Sequence, residues 1–144
     1  MSRAQREKGK RGEQEVAQLL RAVYPEVRTK RAGGESAAQD RGRDLLGAPG
    51  LCVQVKNQGR IDAIGALEEA KAAALENEIP IAFVRRTRGN GLSTSGWCAI
   101  LPAHELVGLL AIARAKLIEA SESARRKDAA GPLALEQLEL EPPF

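Results

Sequence analysis

Apolar positions along the chain recur with two different periods. Val16, Ala17, Leu20, Val23 and Tyr24 are spaced by one, three or four residues, which predicts an amphipathic helix from Lys10 to Tyr24, closed by Pro25. At about 100° per residue, Glu13 falls inside the apolar stripe and Glu15 on the opposite side. "EVRTKRA", Glu26 to Ala32, alternates as a strand, and the small polar residues of "GGESAAQDRGR" make a loop. "DLLGAPGLCVQVKN", Asp44 to Asn57, has two apolar runs joined by a Pro-Gly turn and reads as a hairpin.

The second half repeats the alternation of element types. "IDAIGALEEAKAAALENE" is rich in helix formers, with Asp62 as N-cap, and "IPIAFVRRT" is a buried strand that turns basic at its end. The loop "RGNGLSTSG" leads to a strand "WCAILP", and Pro102 opens a long helix in which Leu106, Leu109, Leu110, Ala113 and Leu117 recur. The order helix, three strands, helix, two strands, helix predicts an α/β fold: a mixed central sheet of about five strands flanked by helices. Residues 1–130 are expected to form one domain, with 131–144 as a C-terminal arm or tail.

The hairpin carries polar residues where a core strand should not. A three-residue "APG" loop pairs Leu46 with Cys52, Leu45 with Val53 and Asp44 with Gln54. Strand alternation then puts Cys52, Gln54 and Lys56 on one face, and Leu51, Val53 and Val55 on the other. Asp44, Gln54 and Lys56 converge on one patch, either as an ion pair beside an amide or as a site. A carboxylate, an amide oxygen and an ammonium together suit a hard divalent cation and a water held beside a phosphate. Glu13, inward-facing and needing a partner, supplies a second carboxylate. The metal set is then Glu13, Asp44, Gln54 and the Val55 carbonyl, with Lys56 to orient water or neutralise charge.

Charge distribution sharpens this picture. Residues 1–43 hold eleven Lys and Arg against six acids, whereas 119–144 hold three against six. Such an imbalance favours a polyanion on one face. Lys8, Lys10, Arg11, Lys30, Arg31, Arg41, Arg43, Arg85, Arg86 and Arg88 are the candidate phosphate contacts. Aromatic residues make up only 3% of the chain, a poor supply for stacking on single-stranded bases, so duplex or branched DNA is the better expectation. Cys52 and Cys98 lie in apolar runs without metal-ligand spacing and read as buried free thiols. His104, the one histidine, reads as a solvent-facing first-turn residue. No apolar run is long enough to span a bilayer and no secretory segment opens the chain, so a cytoplasmic location is expected, with no small-molecule cofactor and no membrane partner.

Glu13 on a first helix, Asp44 at a strand start and Gln54-Val55-Lys56 together resemble the PD-(D/E)XK nuclease superfamily. "KGKRGEQEVAQLL", "RGRDLLG", "LCVQVKNQ", "PIAFVRRT" and "GWCAIL" are most similar to archaeal-type Holliday-junction resolvases and their phage relatives, over residues 8 to about 107. The resemblance implies a restriction-endonuclease-like core and a homodimer that cuts four-way DNA junctions with Mg²⁺ or Mn²⁺, in a host cytoplasm if phage-encoded. It also implies a catalytic serine in the loop before the aspartate, for which Ser36 is the candidate. Two positions depart from the family pattern: Gln54 stands where glutamate is usual, and Arg43 precedes Asp44 in place of proline. Mrr-type restriction relatives also use glutamine there. A linear-duplex endonuclease and a DNA-binding protein without hydrolysis therefore remain as alternatives.

Overall fold

The computed structural model describes residues 2–30, 41–87 and 96–139, with side chains as far as residue 130. Helix α1 spans Arg3–Leu20 and starts seven residues earlier than the apolar spacing predicts. Its start is set by Ser2, whose hydroxyl accepts from Gln5 N while Gln5 Oε1 accepts from Ser2 N at 2.8 Å, a reciprocal cap that satisfies two otherwise orphaned donors. Val23 and Tyr24 lie beyond the helix, in a turn where both N–H groups donate to the Leu20 carbonyl.

Strands β1 (Arg28–Thr29) and β2 (Leu45–Leu46) form a separate antiparallel pair, Arg28 opposite Leu46 and Thr29 opposite Leu45. The main sheet is mixed, in the order β3-β4-β5. Strand β3 (Leu51–Gln58) runs parallel to β4 (Ile79–Arg86), joined to it through helix α2 (Ala63–Ala73), and β5 (Cys98–Ile100) is antiparallel to β4. The α/β class and the order of elements match the sequence reading. The five strands do not share one sheet.

The predicted hairpin register is also corrected. Asp44 N donates to the Val53 carbonyl at 3.0 Å, so Asp44 lies one residue out of the expected pairing with Gln54. Its side chain then accepts from Val55 N at 2.8 Å. A continuing antiparallel ladder would give that N–H to a main-chain carbonyl. Here a carboxylate takes it instead, and β2 pairs with β1, not with the main sheet.

Both faces of the main sheet are covered. Val16 and Ala17 of α1 join Val27, Leu45, Val53, Val55 and Ile81 in one buried cluster, and Ala66 of α2 joins Ala82 and Val84 in the other. Strand β3 is consequently buried on both sides for most of its length. Asp62 caps α2 as expected, accepting from Gly65 N at 2.8 Å. Cys52 is buried, and its burial pushes the thiol pKa up. Cys98 is exposed on β5, contrary to the reading of both thiols as buried, because β5 is a three-residue edge strand.

Gly47, which follows β2, has φ +79°, and a Cβ there would overlap the Glu26 carbonyl oxygen. Gly47→Ala is expected to cost about 3 kcal/mol, from the left-handed backbone plus the backbone clash. A fall in the urea midpoint at unchanged slope is the measurement that checks it.

The chain forms two compact units, 1–102 and 103–144. The second contains α3 (Ala103–Glu139), which continues through Gly131 and Pro132 into the stretch expected to be an arm. His104 is exposed in its first turn, as expected, with Nε2 3.5 Å from Glu105 Oε1. Among the described residues no helix is long and apolar enough to cross a membrane.

Candidate active site

The Asp44 carboxylate is the centre of the arrangement. Oδ2 is held by Val55 N, and Oδ1 lies 3.6 Å from Lys30 Nζ. The backbone is fixed as well, because Asp44 N binds Val53 O and the Asp44 carbonyl accepts from Lys30 N at 3.4 Å. Burial pushes the Asp44 pKa up; the Val55 N–H and the charges of Lys30 and Lys56 oppose this without cancelling it. A carboxylate that is costly to ionise in place is one with a use for a further cation.

Gln54 is buried and donates from Nε2 to the Gly42 carbonyl at 2.6 Å. That bond uses the amide nitrogen and leaves the oxygen, the atom a hard cation would take. The carbonyl of Val55 faces the same strand edge as its N–H, which is the edge Asp44 occupies. Lys56 closes the group: its Nζ lies 2.5 Å from Glu69 Oε2 on α2 and its charge acts on Asp44. It points out of the core, with its side chain 23% exposed.

Glu13 is buried on the inner face of α1, as its phase predicts. Lys8 O accepts from Asn57 Nδ2 at 3.1 Å, and a Cβ on Gly12 would press on Asn57 at 2.8 Å. Val16 and Ala17 pack with Val53 and Val55. The helix thus runs along the Val53/Val55 face of β3 with Gly12 against Asn57, and Glu13 lies on that covered face, whereas Gln54 and Lys56 alternate to the face where α2 lies. Hard oxygen donors from Glu13, Asp44, Gln54 and Val55 fit Mg²⁺ or Mn²⁺ in kind, with two carboxylates for charge. Among the described residues no group of three or more His, Cys, Asp or Glu side chains is placed to hold a metal; this set contains only two such residues.

Two of the expected phosphate contacts are occupied elsewhere. Arg43 makes a two-pronged pair with Glu78, at 2.7 and 2.9 Å, with 13% of its side chain exposed. In Glu78 burial pushes the pKa up, but the Arg43 bond, the Leu75 N–H and the charges of Arg43 and Arg41 together outweigh it and the net shift is downward. Arg85, also 13% exposed, donates to Glu15 and stacks 4.3 Å from the Trp97 ring centre, while Trp97 Nε1 donates to the same Glu15 carboxylate at 3.1 Å. The Arg85 bond holds the Glu15 pKa down. Both arginines tie elements of the fold together, and Glu15 faces its neighbours, not the solvent side assigned by its helical phase.

Lys30, expected as a phosphate contact, is paired with Asp44. Lys10, Arg11, Arg41 and Arg86 are exposed and Lys8 half-buried. Ser36, Arg31 and Arg88 lie outside the described residues. Sequence reasoning misses Glu69, Glu15 and Trp97: Glu69 reads as one of several acids on an exposed helix face, and only the packing of α2 on β3 brings it to Lys56. Searches for similar proteins found no matching family model, no matching curated protein and no matching solved structure.

Proposed function

We propose that this chain is a divalent-metal-dependent endodeoxyribonuclease that acts as a homodimer on four-way DNA junctions. The observation that carries the reading is the Asp44 clamp: a buried carboxylate held by Val55 N, with Gln54 and Lys56 on either side along the strand. Glu13, Asp44, Gln54 and the Val55 carbonyl would hold Mg²⁺ or Mn²⁺. When bound, the ion lowers the pKa of a water and polarises the scissile phosphate. Lys56 retains two N–H donors beyond its Glu69 bond and offers them to that phosphate or water. Lys30 holds Asp44 in register. Phosphodiester hydrolysis demands on the order of 20 kcal/mol of transition-state stabilisation, which matches a site combining a cation, an ammonium and restricted water.

The junction and the dimer follow from the resemblance to Holliday-junction resolvases and from the scarcity of aromatic side chains. A twofold protein presents two such sites to a twofold-symmetric junction. Purified protein with Mg²⁺ is offered a four-way junction, a linear duplex of matched sequence and single strands. Paired nicks in the junction are the expected result. Cleavage of the linear duplex would establish the Mrr-type reading instead, and tight binding without products the non-hydrolytic one. Light scattering is expected to give twice the chain mass of 15.4 kDa.

A further inference from the structure

Resting on that reading of the site, we propose that Glu69 is a positioning residue that holds the Lys56 ammonium away from Asp44, keeping the Asp44 carboxylate available to a divalent cation. The Lys56 charge already acts on Asp44, and Lys30 stands 3.6 Å from Oδ1. A lysine side chain is long and flexible, with an ammonium that turns toward the nearest anion. Left to itself, Lys56 would add a second positive charge to Asp44 and compete with the metal. Glu69 prevents this by taking Nζ at 2.5 Å from helix α2.

The fold makes this placement rigid at its base. Ala66, Leu67 and Ala70 bury one face of α2 against the sheet, on the side where Ala82 and Val84 lie. Glu69 stands at the flank of that face, with its side chain 55% exposed. Lys56 projects from the same side of β3 as Gln54, so the pair bridges helix and strand. An ordinary exposed ion pair would contribute little to stability. What sets this one apart is the third member, because the ammonium it holds would otherwise pair with a buried acid. Charge accounting agrees: Gln54 brings no negative charge, and Asp44 already has Lys30 as a cationic neighbour before Lys56 is counted.

The test compares the wild-type chain with Glu69→Gln and, as a control, Glu68→Gln, whose parent residue pairs with Lys71 at 2.8 Å. Thermal melting of the full chain without DNA is followed as MgCl₂ is raised, and junction cleavage is followed over the same range. For Glu69→Gln, the magnesium needed for half of the thermal shift and for half-maximal cleavage is expected to rise roughly three- to tenfold. The cleavage rate at saturating magnesium should recover toward wild type, and Glu68→Gln should match wild type throughout. If wild type responds to magnesium and Glu69→Gln responds identically, the role of Glu69 is refuted while the site stands. An equal loss in Glu68→Gln also refutes it, since general surface charge would then be the cause. If wild type neither shifts with magnesium nor cleaves, the reading of the site falls and this role with it.

Discussion

Asp44→Asn is expected to lower the cleavage rate by roughly 10³-fold and, in the same protein without metal, to raise the melting temperature by about 2–4 °C. The two effects have one cause. Burial raises the Asp44 pKa, so its charged form is disfavoured in the folded chain even with Val55 N, Lys30 and Lys56 nearby. Since the folded state holds the proton more tightly than the unfolded one, wild-type stability falls as pH rises from the ordinary value of 3.8 through the raised folded value. The gap between wild type and Asp44→Asn should therefore be absent in acid, open through that interval and be complete at neutral pH. Asparagine keeps an oxygen for Val55 N and removes the charge. Melting curves in chelator between pH 3 and 8 measure this directly. Were Asp44 simply an anchor for Lys30, the substitution would lower stability at neutral pH. Magnesium is expected to raise the melting temperature of wild type and to leave Asp44→Asn unmoved.

The parts of this site that local periodicity controls were legible in the amino-acid sequence. Glu13 lies in the phase of Val16 and Ala17, and it is buried. Strand alternation sets Gln54 and Lys56 apart from Val53 and Val55, and only the latter two join the core cluster with α1. Register was not legible, because a turn rich in Gly and Pro accommodates more than one alignment and the deciding bond is a side chain's, Asp44 Oδ2 with Val55 N. Long-range partners were not legible either. Arg43 and Glu78 are 35 residues apart and Arg85 and Glu15 are 70 apart, and no local pattern distinguishes an arginine bound to a distant carboxylate from one that faces solvent. The same blindness hid Glu69, whose neighbours along α2 include an equally acidic Glu68 that meets Lys71. Five strands are countable from the sequence, yet their division into a two-stranded and a three-stranded sheet depends on long-range pairing that no local pattern records.

The contrast between solvent-facing basic groups and arginines held in intramolecular pairs yields the second large effect. Junction affinity, measured in Ca²⁺ or chelator to prevent cleavage, is expected to fall roughly 10³-fold between 50 and 200 mM salt, as it would for a dimer neutralising about six phosphates. Lys10 and Arg11 are exposed on α1 and Arg41 is exposed three residues before Asp44, so each can displace a counterion from DNA. Lys10→Ala should make the slope of log affinity against log salt shallower by about 0.9 for each phosphate no longer neutralised, with the fold intact. Arg43→Ala and Arg85→Ala should do the reverse. Each removes the charged partner of a carboxylate, leaving Glu78 with the Leu75 N–H and Glu15 with Trp97 Nε1. Both should reduce stability, by about 1–3 kcal/mol for the well-buried Glu78 pair, and leave the salt slope of the remaining folded protein unchanged. A slope that drops with Arg43 or Arg85 and ignores Lys10 would mean that DNA draws these arginines out of their pairs, and the intramolecular bonds would then describe only the chain at rest.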